Sequence, residues 1–217
     1  MKKTFLVLAA LMLASSAAFA DTEYNNTSEI NTQYGYFGYP YVATMGETFS
    51  APLTDTTLND FSLFLLASNS SGQLEGYVGT WTGSEVGTIL YTSAPVTVTG
   101  ANQTFNFNTG GLSLIPGDEY VAFISILEPN YNSYSGETYM PAVDVGTLIP
   151  GGSIAILRIG NDTSLFTSGN DWETTGISDV EFIADFSSGA TPEPSSLFLF
   201  STGLVGLAGV LRRKFAR

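Results

Sequence analysis

Cysteine and histidine are both absent from this chain, and lysine is confined to its two ends. Without Cys, no disulfide can hold the fold, so a hydrophobic core must do so, helped at most by bound ions. Without His, Cys or Lys between Asp21 and Ala190, the chain has no Ser-His or Cys-His nucleophile pair, no ordinary Zn²⁺ ligand set and no Schiff-base lysine. The chemistry left to a catalyst is a pair of carboxylates, as in glycoside hydrolysis. Nothing in the spacing of the acids singles such a pair out.

Positive charge is the next scarcity. Asp21 to Ala190 holds nineteen acids against one base, Arg158, a formal charge of −18. Such a surface repels nucleic acid and anionic membranes, so no nucleic-acid partner is expected. Carboxylates could gather around Ca²⁺, which takes oxygen ligands. They could equally be spread over the surface for solubility. Gly160-Asn161-Asp162 and Gly169-Asn170-Asp171 recur at nine residues, the spacing of calcium-binding nonapeptides, which makes Asp162 and Asp171 the candidate metal ligands. The same triplets suit two tight turns.

Amphipathic helices are lacking too. Apolar residues follow period two in short runs broken by Gly, Asn, Asp, Ser and Pro, the pattern of an antiparallel all-β domain. Val96–Thr99 and Thr104–Asn108 flank Gly100-Ala101-Asn102 and read as a hairpin. Pro116-Gly117 reads as the centre of a type II turn, and Tyr120–Leu127, apolar on both faces, as a central strand. Further strands are expected at Thr48–Phe49, Phe61–Leu66, Gly76–Thr82, Ile89–Thr92, Ile154–Ile159 and Val180–Phe186. Nine or ten short strands with no fixed repeat predict a two-sheet antiparallel β-sandwich over 21–190, jelly-roll-like rather than a β-helix.

Tyrosine is abundant near the start of this domain. Tyr34, Tyr36, Phe37, Tyr39 and Tyr41 alternate with glycines and Pro40, and Tyr131 and Tyr134 sit in a Pro-Asn-Ser-rich stretch. Exposed rings of this kind stack on the apolar face of a sugar, so Tyr34, Tyr36, Tyr39 and Tyr41 are the candidate carbohydrate contacts. The competing expectation is that they fill the core and its edges. Trp81 is expected in the core.

Long apolar runs occur only at the two ends. Lys2 and Lys3 precede Phe5–Ala14, and Ala18-Phe19-Ala20 forms an A-x-A cleavage site, so residues 1–20 read as a secretory signal peptide. At the other end, Pro192-Glu193-Pro194 is an extended stub within 191–194. Ser195–Leu211 follows, seventeen residues without a charge, then Arg212, Arg213, Lys214 and Arg217. An uncharged run of that length barely spans a bilayer as a helix. The basic cluster would stop transfer and keep 212–217 cytoplasmic, placing the acidic domain outside. A plain single-pass anchor has the same outline.

This tripartite tail, 191–217, resembles the PEP-CTERM sorting signal of Gram-negative, often exopolysaccharide-producing bacteria. The resemblance rests on Pro192, Glu193 and Pro194 as motif, Ser195–Leu211 as helix and Arg212–Arg217 as basic end, with Thr at 191 where Val is commoner. It implies recognition by an exosortase, a membrane-embedded protease or transpeptidase, after inner-membrane transit. The protein is then delivered to the cell envelope, surface or extracellular matrix. Leu90–Pro95 and Gly110–Phe123 look like the β-sandwich ectodomains found ahead of such tails, and carry no active site with them.

The expectation is therefore an exported, non-catalytic β-sandwich needing no cofactor, with a structural or carbohydrate-associated role and exopolysaccharide as a partner. The alternatives are a secreted glycan-active enzyme with two carboxylates and a calcium-dependent adhesin.

Overall fold

A computed structural model of the chain describes residues 21–39, 41–127, 134–144, 146–157, 163–167, 172–175, 178–188 and 202–203, with the backbone alone at 67–69 and 136–137. Asp21–Ser188 packs as one compact unit. It is all-β. The signal peptide, the sorting motif and the basic end lie outside the described residues. So does the expected spanning run but for Thr202 and Gly203, which are helical. No helix among the described residues is long and apolar enough to cross a membrane.

Among the described residues thirteen strands form the unit: β1 Thr22–Asn25, β2 Thr32–Phe37, β3 Thr44–Ser50, β4 Thr57–Trp81, β5 Val86–Thr92, β6 Val96–Val98, β7 Gln103–Ser113, β8 Glu119–Ser125, β9 Ser135–Val143, β10 Ser153–Leu157, β11 Trp172–Thr174, β12 Asp179–Val180 and β13 Phe182–Ser187. All strand pairs are antiparallel, and they make two sheets joined through β4. In the first sheet the order is β1-β13-β4-β7, with β9 on the middle of β4 and β2 and β12 on β9. The second has β5 and β6 on one side of the far half of β4 and β8-β3-β10-β11 on the other.

The length of β4 departs from the expected separate strands at Phe61–Leu66 and Gly76–Thr82. Ser70, Ser71 and Gly72 between them have the composition of a turn, yet the backbone stays extended. The pairing with β9 shifts register between Ser68 and Ser71, and Gly72 adopts φ 145°. That shift changes which face points inward. Phe61, Leu63 and Leu65 fill the core before it, Leu74 and Val78 after it, so one strand presents its apolar side to the core from both sheets.

The expected hairpin between Val96–Thr99 and Thr104–Asn108 does not form. Both segments are strands, but β6 pairs with β4 in the second sheet and β7 pairs with β4 in the first. The turn at Gly100 (φ 78°) carries the chain across the sandwich instead of back along itself, and Phe105 and Phe107 are buried, with Phe107 stacked on Phe61 at 5.0 Å. The expected strand Val180–Phe186 is divided at Glu181 into β12, which pairs with β9, and β13, which pairs with β4, so the strands outnumber the nine or ten expected. The turn and the central strand are as expected. Pro116-Gly117 forms its turn, with Gly117 at φ 76° and Asp118 N–H donating to Ile115 C=O. Strand β8 lies centrally between β4 and β3 and is buried from Tyr120 to Ser125.

Between the sheets lie Phe49, Tyr120, Phe182 and Phe186, with Phe49 within 5.9 Å of each of the other three ring centroids. The outer face of the second sheet has its own aromatic layer. Phe123 stacks on Tyr77 at 5.0 Å and meets Phe166 and Trp172 edge-on at 5.0 and 5.4 Å. Phe166 comes from a 3-10 turn, Thr163–Thr167, and its carbonyl accepts from Trp172 Nε1 at 2.9 Å. Trp81 packs edge-on against Trp172, in the core as expected.

Candidate functional site

The tyrosine-rich stretch builds a surface. Pairing of β2 with β9 runs regularly from Thr32 to Tyr34, then shifts register before Phe37. Gly35 takes φ 68° there, where a Cβ would also strike the Met45 methyl at 2.5 Å. This irregularity turns Phe37 into the core, edge-on to Tyr134 at 5.6 Å, and leaves Tyr36 outside. Gly38, at φ 121°, then reverses the chain, with Tyr41 N–H donating to Gly38 C=O.

The result is an exposed aromatic group. Tyr36 lies 5.3 Å from Tyr41 and 5.0 Å from Tyr139 of β9. Tyr36, Tyr39 and Tyr41 are each roughly half exposed, at 47, 45 and 52%. Of the four tyrosines picked from sequence, three are thus on the surface, whereas Tyr34 is half-buried against the core. Tyr134, in the second tyrosine group, is buried and hydrogen-bonds Thr138 at 2.9 Å. Tyr131, Asp162 and Asp171 lie outside the described residues. Tyr139 is missing from the sequence reading because its partner Tyr36 is a hundred residues away and only the β2–β9 pairing unites them.

The acids fall into two arrangements. On the outer face of the first sheet, Glu23, Asp185 and Asp60 are direct cross-strand neighbours on β1, β13 and β4. Partial burial and the charges of Asp60, Glu23 and Asp21 push the Asp185 carboxyl up from its ordinary value. Asn106 of β7 donates to Asp60 at 2.9 Å. Among the described residues no group of three acids has a geometry that could hold a metal ion.

The second arrangement is interior. Period two along Met45, Glu47 and Phe49 puts Glu47 on the core face of β3, where it is wholly buried, as is Asp179 of β12. Glu47 Oε2 accepts from Val180 N–H at 2.8 Å, and Asp179 Oδ2 accepts from Leu148 and Ile149 N–H at 2.5 and 3.1 Å. Burial first, and the Asp179 charge second, hold the Glu47 carboxyl well above the usual carboxylate range. Sequence reasoning missed this pair, although the Met45–Phe49 alternation marks Glu47 as inward. Both acids are closed off from solvent, so they form no cleft for a substrate.

Solved structures similar to this chain include a clostridial cysteine protease, Cwp84, after propeptide cleavage. It matches with a TM-score of 0.51 at 13% identity, over 78% of this chain and 40% of that one. A second, of the cysteine protease and lectin-like domains of Cwp84, a surface layer associated protein of Clostridium difficile, matches with a TM-score of 0.43 at 13% identity, over 68% of this chain and 32% of that one. The first likeness concerns the fold alone, and this chain spans well under half the length of either. No curated protein matches it in sequence. The tail does match a family model: over residues 190–214 the chain carries the PEP-CTERM protein-sorting motif.

Proposed function

We propose that this is a non-catalytic surface or matrix component, whose β-sandwich contacts carbohydrate through Tyr36, Tyr39 and Tyr41. The observation that carries the reading is the sorting motif at 190–214, which marks an exported protein handled by an exosortase and sorted to the cell surface. In this reading Ser195–Leu211 spans the inner membrane during transit. Arg212, Arg213, Lys214 and Arg217 hold its end in the cytoplasm, and the chain is cut near Pro192-Glu193-Pro194 once the sandwich is outside. Residues 1–20 direct the export and are removed after Ala20.

Two features support a binding rather than a catalytic role. The chain offers no His, Cys or Lys to a site in 21–190, and the wholly buried acid pair, Glu47 and Asp179, is sealed from substrate. The exposed tyrosines, by contrast, sit on a paired strand and a tight turn, so their rings are pre-positioned for stacking.

Intact mass and cell fractionation in an exosortase-bearing Gram-negative host test the sorting step. The wild-type chain should lose its tail and leave the membrane. Triple substitution of Pro192, Glu193 and Pro194 by Ala should leave a full-length, membrane-held product. Equal processing of both would sink the reading.

A further inference from the structure

Glu47 Oε1 and Asp179 Oδ1 are buried without a hydrogen-bond donor from any other group. They converge on one place. A Cβ built on Gly152 would lie 2.9 Å from Glu47 Oε1, 2.7 Å from Asp179 Oδ1 and 2.7 Å from the Ile149 carbonyl. The bare backbone at Gly152 therefore leaves room for the two acids to meet, and Asp179 lies within hydrogen-bonding reach of Glu47. Two ionised carboxylates cannot occupy such a site without a counter-charge, because burial strips their hydration and their mutual repulsion is unscreened.

No base is at hand. Among the described residues of Asp21–Ser188 there is no Lys, Arg or His, and Arg158, the single base of that interval, lies outside them. The neighbouring strands supply only apolar partners, with Ala122 of β8 and Ile154 of β10 opposite Glu47. The other titratable groups on the surrounding elements, Glu119, Asp144 and Glu173, are exposed, and Glu181 is half-buried. Among the described residues only Asp179 acts on Glu47 as a charge.

We propose that Glu47 and Asp179 share a single proton beside Gly152, and that this proton joins β3 to β12 and the 146–152 turn more firmly in acid than in base. Glu47 is the donor. Its carboxyl takes the Val180 N–H on Oε2 and faces a further backbone N–H from Ser153, Asp179 takes two on Oδ2, and the Glu47 carboxyl is the one burial holds well above its ordinary range. The bond crosses the interior. Glu47 belongs to the second sheet, Asp179 pairs with β9 of the first, and the shared proton fastens one to the other.

The sign of the pH dependence follows. The folded Glu47 carboxyl is raised above its ordinary 4.5, so the unfolded chain releases this proton first as pH rises. The contribution is fully present below the unfolded value and is lost as pH climbs through the folded one.

Unfolding of the full chain in detergent, followed against pH for wild type and Glu47→Gln, tests the assignment, because the amide keeps a donor toward Asp179 and cannot titrate. From about pH 5 upward the wild-type folding equilibrium should fall about tenfold per pH unit more steeply than that of Glu47→Gln, until the folded carboxyl ionises. Just above the ordinary carboxylate range the infrared spectrum should hold a protonated-carboxyl band that Glu47→Gln lacks. Parallel pH profiles without that band would overturn the proposal. So would a wild type that loses stability to EDTA and regains it with Ca²⁺, which would put a cation where we place a proton. Arg158→Gln should keep the wild-type profile; a wild type without the profile and an Arg158→Gln variant that acquires it would assign the neutralising charge to Arg158 and overturn the proposal. Should Glu47→Gln fail to fold, the wild-type band and its disappearance on alkaline titration decide alone.

Discussion

Gly46 shows how tightly single positions are specified. It lies on β3 opposite Phe123, and a Cβ there would sit 2.1 Å from the Ala122 carbonyl and 2.5 Å from Phe123 Cα. Both obstacles are backbone, so no side-chain rotation can relieve the clash. Gly46→Ala should therefore force β3 and β8 apart and destabilise the unit by about 3 kcal/mol, at the upper end for an overpacked core, read as a lower denaturant midpoint. The need for glycine at 46 is invisible in the sequence, where Met45-Gly46-Glu47 could as well be a turn. The same holds for Glu47, whose inward direction is legible from Met45 and Phe49 but whose partner, Asp179, is not. A sequence separation of 132 residues carries no local signal.

Among the strands, like charges meet where β1, β13 and β4 align. Glu23, Asp185 and Asp60 stand directly opposite one another on an exposed face, an arrangement that weakens a sheet. Since the Asp185 carboxyl is raised in the folded state, its contribution is present in acid and is lost as pH rises above its ordinary range. Asp185→Asn should consequently raise Tm at neutral pH and leave it unchanged well below pH 3. The gain should stay within about 0.5 kcal/mol, because solvent screens a group this exposed. Most strands were legible from period two, the central one from the apolar run Tyr120–Leu127, and the turn from Pro116-Gly117 itself. The run of β4 through Ser70, Ser71 and Gly72 was not, since turn-forming residues there are held extended by pairing with β9. Nor was the parting of β6 from β7, because the local turn signal is the same whether two strands pair with each other or with a third.

At the scale of the molecule, export sets what the sandwich meets, and its charge narrows the choice further. A body with nineteen acids and one base repels anionic polymers at long range, so the proposed carbohydrate contact is expected with neutral rather than anionic polysaccharide. Tyr36→Ser with Tyr41→Ser should weaken retention on a neutral polysaccharide about tenfold, with Tm unchanged, as expected for two lost ring contacts on the surface. Equal retention of the variant would remove the carbohydrate reading while leaving the sorting motif untouched. The two results are independent because the motif at 190–214 and the tyrosines lie in separate parts of the chain.

Order along the chain was enough to establish the sorting motif, the all-β class and the lack of His, Cys and Lys residues between Asp21 and Ala190. A tail motif is contiguous, strand periodicity is local, and an absence needs no geometry. The tertiary structure alone decided which residues meet. It brought Tyr36 to Tyr139, set three acids in a row across three strands, and closed Glu47 against Asp179 beside Gly152. Each of those meetings depends on antiparallel pairing between strands remote in sequence, and register between such strands is chosen by the packing of the whole core.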